Sequence, residues 1–149
     1  MNYTQLYYHV VLRAYHNQNV INEEHEKELY AYIYGMCKKR DVNLLRIGGM
    51  PNHVHLFVTL PSMLPVAKFV QEIKSVSSVW LKNNLHFPNF DHWSKEYAAF
   101  TYSIRDKDMI INYIRNQKDH HRKVTFQEEY RQFLIDNGIE INERYFLVD

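Results

Sequence analysis

The chain has one cysteine, Cys37, in 149 residues. A lone thiol excludes an internal disulfide framework and a cysteine-rich zinc cluster. Glycine and proline are scarce, four of each, which argues against disorder, collagen and spacer sequence. No apolar run approaches the roughly 20 residues that span a bilayer, so no membrane partner is expected. The opening stretch MNYTQLYYHV lacks the basic-then-apolar pattern of a secretory leader, and the expected location is cytoplasmic. An excess of one charge is also missing. The formal net charge is +1, which taken alone points to no polyanion partner. That total is an average, because residues 1–125 carry 16 Lys and Arg against 11 Asp and Glu, and residues 126–149 carry two against six. A mildly basic body precedes an acidic tail.

What is present suits a single domain over residues 1–149. A chain of this length buries roughly 68–70% of its unfolded surface, and the 46% hydrophobic content supplies a core. Residues 3–13, rich in aromatic and β-branched side chains, read as a strand. Asn22 followed by Glu23, Glu24 and Glu26 suits a helix start. Leu29, Ile33 and Met36 keep helical spacing, and Lys38, Lys39 and Arg40 complement the negative end of that helix. Residues 42–48 and 53–60 read as strands around the turn-rich Gly48-Gly49-Met50-Pro51-Asn52. A second helix is expected from Pro65, with Val66, Phe69, Val70, Ile73, Val76 and Trp80 on one apolar stripe. Residues 83–95 read as a loop and 97–104 as a fourth strand. A helix over 106–119, with Ile110, Ile111 and Ile114 inward, and a short helix over 126–136 complete the chain. The order is βαββαβ plus C-terminal helices, an α/β (α+β) class. It predicts a ferredoxin-like, RRM-like antiparallel sheet with helices on one face and the other face free for a ligand or a second subunit.

Among 12 tyrosines and nine histidines, two short patterns carry chemistry. The first is Pro51-Asn52-His53-Val54-His55-Leu56-Phe57. On a strand, residues two apart share a face. His53 and His55 therefore present two imidazoles side by side, able to ligate one divalent ion, while Val54 faces the core. The bland alternative is two unrelated histidines on a half-buried strand. A third histidine at position 57 would suggest a histidine-triad nucleotide hydrolase, but that residue is Phe57. The second pattern is Tyr113-Ile114-Arg115-Asn116-Gln117. One helical turn puts Tyr113 and Gln117 on one face. A phenol is a covalent nucleophile for phosphorus, and an amide oxygen suits Mg²⁺ or Mn²⁺. Taken alone, the pattern reads more simply as Tyr113 edging the core beside Ile110 with Gln117 solvated.

Together the two patterns resemble the HUH single-strand endonucleases with one catalytic tyrosine. The chain is more closely similar to the IS200/IS605-family (Y1) transposases. The matching stretches are YTQLYYHVVLR at 3–13, IGGMPNHVHLFVTLP at 47–61, IKSVSSVWL at 73–81, INYIRNQKDHHRKVTF at 111–126 and NGIEINERYF at 137–146. The resemblance implies that His53, His55 and Gln117 bind a divalent metal, Mg²⁺ or Mn²⁺, and that Tyr113 is the nucleophile. It also implies transesterification of single-stranded DNA with hairpin ends through a 5′-phosphotyrosine, with no nucleotide cofactor. A homodimer is implied too, in which the tyrosine helix can serve the partner's histidines in trans.

Weaker candidates for DNA contact are Arg13, Arg46, Lys74 and Ser75, together with Lys118, Arg122 and Lys123 in the basic run after the tyrosine helix. Each has a competing role as solvated or helix-end charge. His120 and His121 are read as part of that run and not as metal ligands. Tyr30, Tyr32, Tyr34, Trp80 and Trp93 are read as packing. Two readings compete with a mobile transposase. One is a domesticated, repeat-associated nuclease with the same site. The other is a non-catalytic RRM-like module, which would stack bases on its sheet and leaves Tyr113 and Gln117 unexplained.

Overall fold

The computed structural model describes residues 2–149. Strands β1 (Tyr7–Ala14), β2 (Asn43–Met50), β3 (His53–Thr59) and β4 (Trp93–Tyr102) form one antiparallel sheet in the order β2-β3-β1-β4. Helices α1 (Glu26–Lys39) and α2 (Val66–Lys82) cover one face. Side chains alternate along each strand, so Val10 and Leu12 of β1 and Val54, Leu56 and Val58 of β3 share a core with Leu29, Ile33, Phe69 and Ile73 of those helices. Cys37 is buried in the same core, and burial pushes its thiol up to about 12. This is the ferredoxin-like arrangement expected.

The opposite face is not free. Helices α3 (Lys107–Arg115) and α5 (Phe126–Asp136), with the single turn α4 (Gln117–His120), lie over it. Phe126 and Tyr130 of α5 pack on Val11, Ala98 and Phe100, while Ile110 and Ile114 of α3 pack on Tyr7 and Phe57. The chain covers its own second face because both helices carry an apolar stripe at helical spacing.

Several details depart from the sequence expectations. The first strand starts at Tyr7, not residue 3, and the turn expected over residues 48–52 is shorter, because β2 runs through Gly48 and Gly49 and leaves only Pro51 and Asn52 in the turn. On α2, Val76 is on the surface and Ser77 is buried instead. The reason is a polar partner: Ser77 Oγ accepts from the Trp93 indole at 2.9 Å and donates to the Ile73 carbonyl at 2.5 Å. The fourth strand begins at Trp93, inside the expected loop. The helix expected over 106–119 is broken at Asn116, whose φ and ψ are −96° and 21°.

Gly48 sets how closely α3 approaches the sheet. A Cβ there would stand 2.8 Å from the Ile114 carbonyl oxygen. Gly35, inside α1, has nothing within 4 Å of such a position. Gly48→Ala is therefore expected to destabilise the fold by about 1–3 kcal/mol through overpacking. Gly35→Ala should stabilise it by about 0.5–1 kcal/mol. Urea unfolding of both variants checks the contrast.

Candidate functional site

β3 points His53 and His55 to the face beneath α3 and α5, and Val54 to the other core, as strand alternation requires. Both histidines are fully buried. Across β1, His9 lies on the same face, and its Nε2 meets His55 Nδ1 at 2.7 Å. That contact leaves His55 Nε2 directed at the centre of the site. The His53 ring is oriented by Asn52, whose Oδ1 lies 2.7 Å from His53 Nδ1. Since an amide oxygen only accepts, Nδ1 carries the proton and His53 Nε2 offers a lone pair.

The helices bring the rest. Tyr113 of α3 donates its phenol proton to Glu129 Oε2. The break at Asn116 turns Gln117 inward, where it is buried. Gln117 Nε2 donates to Glu129 Oε2 at 2.9 Å, and its Oε1 lies 3.1 Å from His53 Nε2. Glu129 Oε1 is 3.1 Å from His55 Nε2 and 3.3 Å from His53 Nε2. Phe126 stacks on His53 at 4.0 Å, and Phe133 lies edge-on to Tyr113 at 5.4 Å. One turn of α5 on either side of Glu129 thus walls the site with aromatic rings.

Glu129, His121 and His9 are the residues that sequence reasoning missed. His121 Nδ1 donates to the Val124 carbonyl at 2.8 Å, so its Nε2 is also a lone pair, 3.1 Å from Gln117 Oε1 and 3.3 Å from Glu129 Oε2. His120 Nε2 lies 3.3 Å from the same oxygen. A signal for Glu129 existed. It falls on the inner stripe of a predicted amphipathic helix, between Phe126 and Phe133, where a carboxylate demands partners. His9 and His121 carried no comparable local pattern.

The electrostatics follow from burial. Burial lowers His53 from its ordinary value to about 4 and holds His9 well below its own ordinary value, so both rings are neutral near pH 7. Burial alone would raise Glu129, but the polar groups packed around it, the imidazoles of His121, His53 and His55 first among them, outweigh it and hold the carboxyl well below its usual range. Burial, then the Glu129 charge, pushes the Tyr113 phenol well above 10. A carboxylate oxygen, an amide oxygen and imidazole lone pairs therefore converge with few protons between them. Such a donor set could hold a divalent cation: the ligand atoms of His53, His55 and Glu129 cluster within 4.8 Å of one another, with Gln117 and His121 beside them.

The other predicted contacts are distributed unevenly. Arg13 is buried, with Nη1 on Asp149 at 2.9 Å and on Asn17 at 3.2 Å, so its guanidinium serves the interior and not a DNA surface. Lys74 likewise donates to the Ser94 and Lys95 carbonyls at 2.7 and 3.0 Å, and burial lowers it to about 8. Lys118 is tied to the Gly49 carbonyl and to Glu26, both at 2.7 Å. Arg46 is half-buried with Nε unpaired, and Ser75 Oγ bonds back to Gln71 at 3.0 Å on an exposed face. Arg122 and Lys123 are exposed and line a cleft that opens on Tyr113 beside Asn116 and His120.

The neutral, buried His53 makes the metal-free protein acid-sensitive. Its folded pKa of about 4 lies below the unfolded value of about 6.5, so the unfolded chain binds the proton first. Stability in chelator should fall as pH is lowered from about 6.5 to about 4. Urea midpoints across that window check it, and a flat profile contradicts the burial argument.

Residues 2–117 match the family model described as "Transposase IS200 like". The transposase of insertion sequence element IS200 from Salmonella typhimurium is 20% identical over 114 residues, covering 74% of this chain and 75% of that protein. The ISDra2 transposase TnpA of Deinococcus radiodurans is 25% identical over 122 residues, covering 77% and 86%. In three dimensions, the chain is similar to a REP-associated tyrosine transposase solved bound to a REP hairpin, with a TM-score of 0.62 and 14% identity over 95% of this chain and 86% of the other. A buried histidine pair facing a helix-borne tyrosine, on this fold and with this match, shows that the chain belongs to the IS200-like, single-tyrosine (Y1) transposase family.

Proposed function

We propose that this transposase cuts and rejoins single-stranded DNA at the hairpin ends of an insertion sequence, with residues 1–149 acting as one catalytic domain. The observation that carries this reading is the convergence of Tyr113 with the lone pairs of His53, His55 and Gln117 around Glu129. A Mg²⁺ or Mn²⁺ ion held by His53, His55, Gln117 and Glu129 would supply charge to polarise a phosphate oxygen and favour the phenolate. Tyr113 supplies the nucleophile. Its oxygen bonds to phosphorus as the bond to the 3′-oxygen breaks, leaving a 5′-phosphotyrosine and a free 3′-hydroxyl. The phenol is a neutral donor to Glu129 Oε2 at rest, so attack requires that proton to leave along this hydrogen bond. A 3′-hydroxyl from another strand reverses the step. The phosphotyrosine retains the energy of the broken bond, so no nucleotide cofactor is required.

Phe133 packs edge-on against Tyr113 and Phe126 against His53, so the side of the site that faces α5 is apolar. Arg122 and Lys123 line the cleft beside Tyr113 and would hold backbone phosphates. A homodimer rests on the family resemblance. Within one chain Tyr113 already faces its own histidines, its ring 5.9 Å from His55, an arrangement that favours action in cis. No helix among the described residues is long and apolar enough to cross a membrane.

Tyr113→Phe should abolish covalent protein–DNA adducts on single-stranded substrate while retaining hairpin binding. An adduct persisting on a denaturing gel would remove Tyr113 as nucleophile. Glu129→Ala should weaken Mn²⁺ binding by roughly tenfold or more in isothermal titration, and His53→Ala more severely. Unchanged affinity in Glu129→Ala would limit that carboxylate to holding the phenol.

A further inference from the structure

A second cluster of ligating side chains lies in the α1/α2 layer, away from the histidine pair. His25 caps the start of α1 and Glu28 stands in its first turn, three residues apart and on one face. His86 joins them from the loop between α2 and β4. Both rings address one carboxylate oxygen: His25 Nδ1 is 2.8 Å and His86 Nδ1 is 2.7 Å from Glu28 Oε2. The two imidazoles stack with centroids 3.8 Å apart and planes 14° from parallel. No lysine or arginine among the described residues pairs with Glu28.

A single side chain bridges the backbones that carry these rings. Asn22 Oδ1 accepts from the His25 amide at 2.9 Å, and Asn22 Nδ2 donates to the His86 carbonyl at 2.6 Å. Asn84 Oδ1 accepts from the His86 amide at 2.9 Å, and the neighbouring Phe87 is buried in the core. The cluster is thus assembled before any ligand arrives, which lowers the entropy lost on binding. Hydrogen bonding, led by His86, holds the Glu28 carboxyl below its usual range, so the oxygen is ionised near pH 7. Exposed Glu23 and Glu24, on the turn just before, add negative charge nearby.

We propose that His25, Glu28 and His86 form a second divalent-cation site that takes a transition metal of the zinc class. The three ligand atoms lie within 4.8 Å of one another. Two imidazole nitrogens with one carboxylate are a donor set for Zn²⁺, whereas Mg²⁺ prefers six oxygens and keeps its waters. On binding, each ring moves its proton from Nδ1 to Nε2 through solvent, and the freed Nδ1 leaves Glu28 and closes to about 2.0–2.1 Å from the ion. The rings fan out of their stack to aim both lone pairs at the metal. Their side chains are 30% and 48% exposed, so the motion meets little packing and water completes the coordination. The ion ties the start of α1 to the α2–β4 loop and stabilises the native state that alone binds it. None of these residues touches the His53/His55 centre, so the proposal is independent of the catalytic reading.

Native mass spectrometry of the full chain in excess Mg²⁺, with Zn²⁺ added, counts the ions bound. His86→Ala and Glu28→Gln are surface changes, and circular dichroism verifies their folding. Each should carry one Zn²⁺ fewer than the unsubstituted chain and show a smaller Zn²⁺-induced rise in Tm. The same difference of one ion is expected between His53→Ala and His53→Ala/His86→Ala, which separates this site from the catalytic one. Equal ion counts across either comparison overturn the proposal.

Discussion

The structure depends on how a buried carboxylate is satisfied. An ionised side chain in an apolar interior is stable only when its oxygens are fully engaged. Glu129 meets that condition by drawing Tyr113 and Gln117 from α3 and α4 and the histidines of β3 to one point. Three segments distant in sequence are thereby tied together. The same contacts that satisfy the charge bring the Tyr113 phenol beside imidazole groups that could hold a metal ion. In the proposed reaction, stability and function would share these bonds, and loss of Glu129 would affect both.

The sheet makes this possible by separating two jobs. Residues alternate between faces on β3, so Val54, Leu56 and Val58 build one core while His53 and His55 serve the other side. The site can therefore carry polar groups without weakening the main apolar layer. The cost is that the second face must be covered by helices that contribute polar groups of their own. Phe126 and Phe133 do the covering, and Glu129 between them does the pairing. The glycine at position 48 lets α3 settle close enough for Tyr113 to reach that carboxylate.

Basic side chains behave differently from what their place in the sequence suggests. Arg13, Lys74 and Lys118 look like candidates for phosphate, yet each is consumed by an internal acceptor. Arg122 and Lys123 remain outside because they follow the short helix α4 on an exposed turn. A lysine's reach exceeds the spacing of helices from strands, so tertiary neighbours, not local pattern, decide whether its charge faces solvent.

Much of the fold was legible because apolar periodicity is a local property. The βαββαβ order, the facing of His53 and His55, and the inward Ile110 and Ile114 all follow from spacings of two or of three to four residues. Tyr113 and Gln117 were legible as a pair for the same reason, even though the helix between them breaks at Asn116. The polar exceptions were not. Ser77 replaced Val76 in the core because an indole from a distant strand needed a partner. Covering of the second face, the entry of Glu129 and His121 into the site, and the withdrawal of Arg13 all depend on contacts between residues far apart in the chain. The sequence by itself determined which residues could line a face, because strand and helix periods are set by the backbone. Only the tertiary structure decided which of those faces met, because hydrogen bonds and ion pairs form between whatever groups the packing brings within about 3 Å.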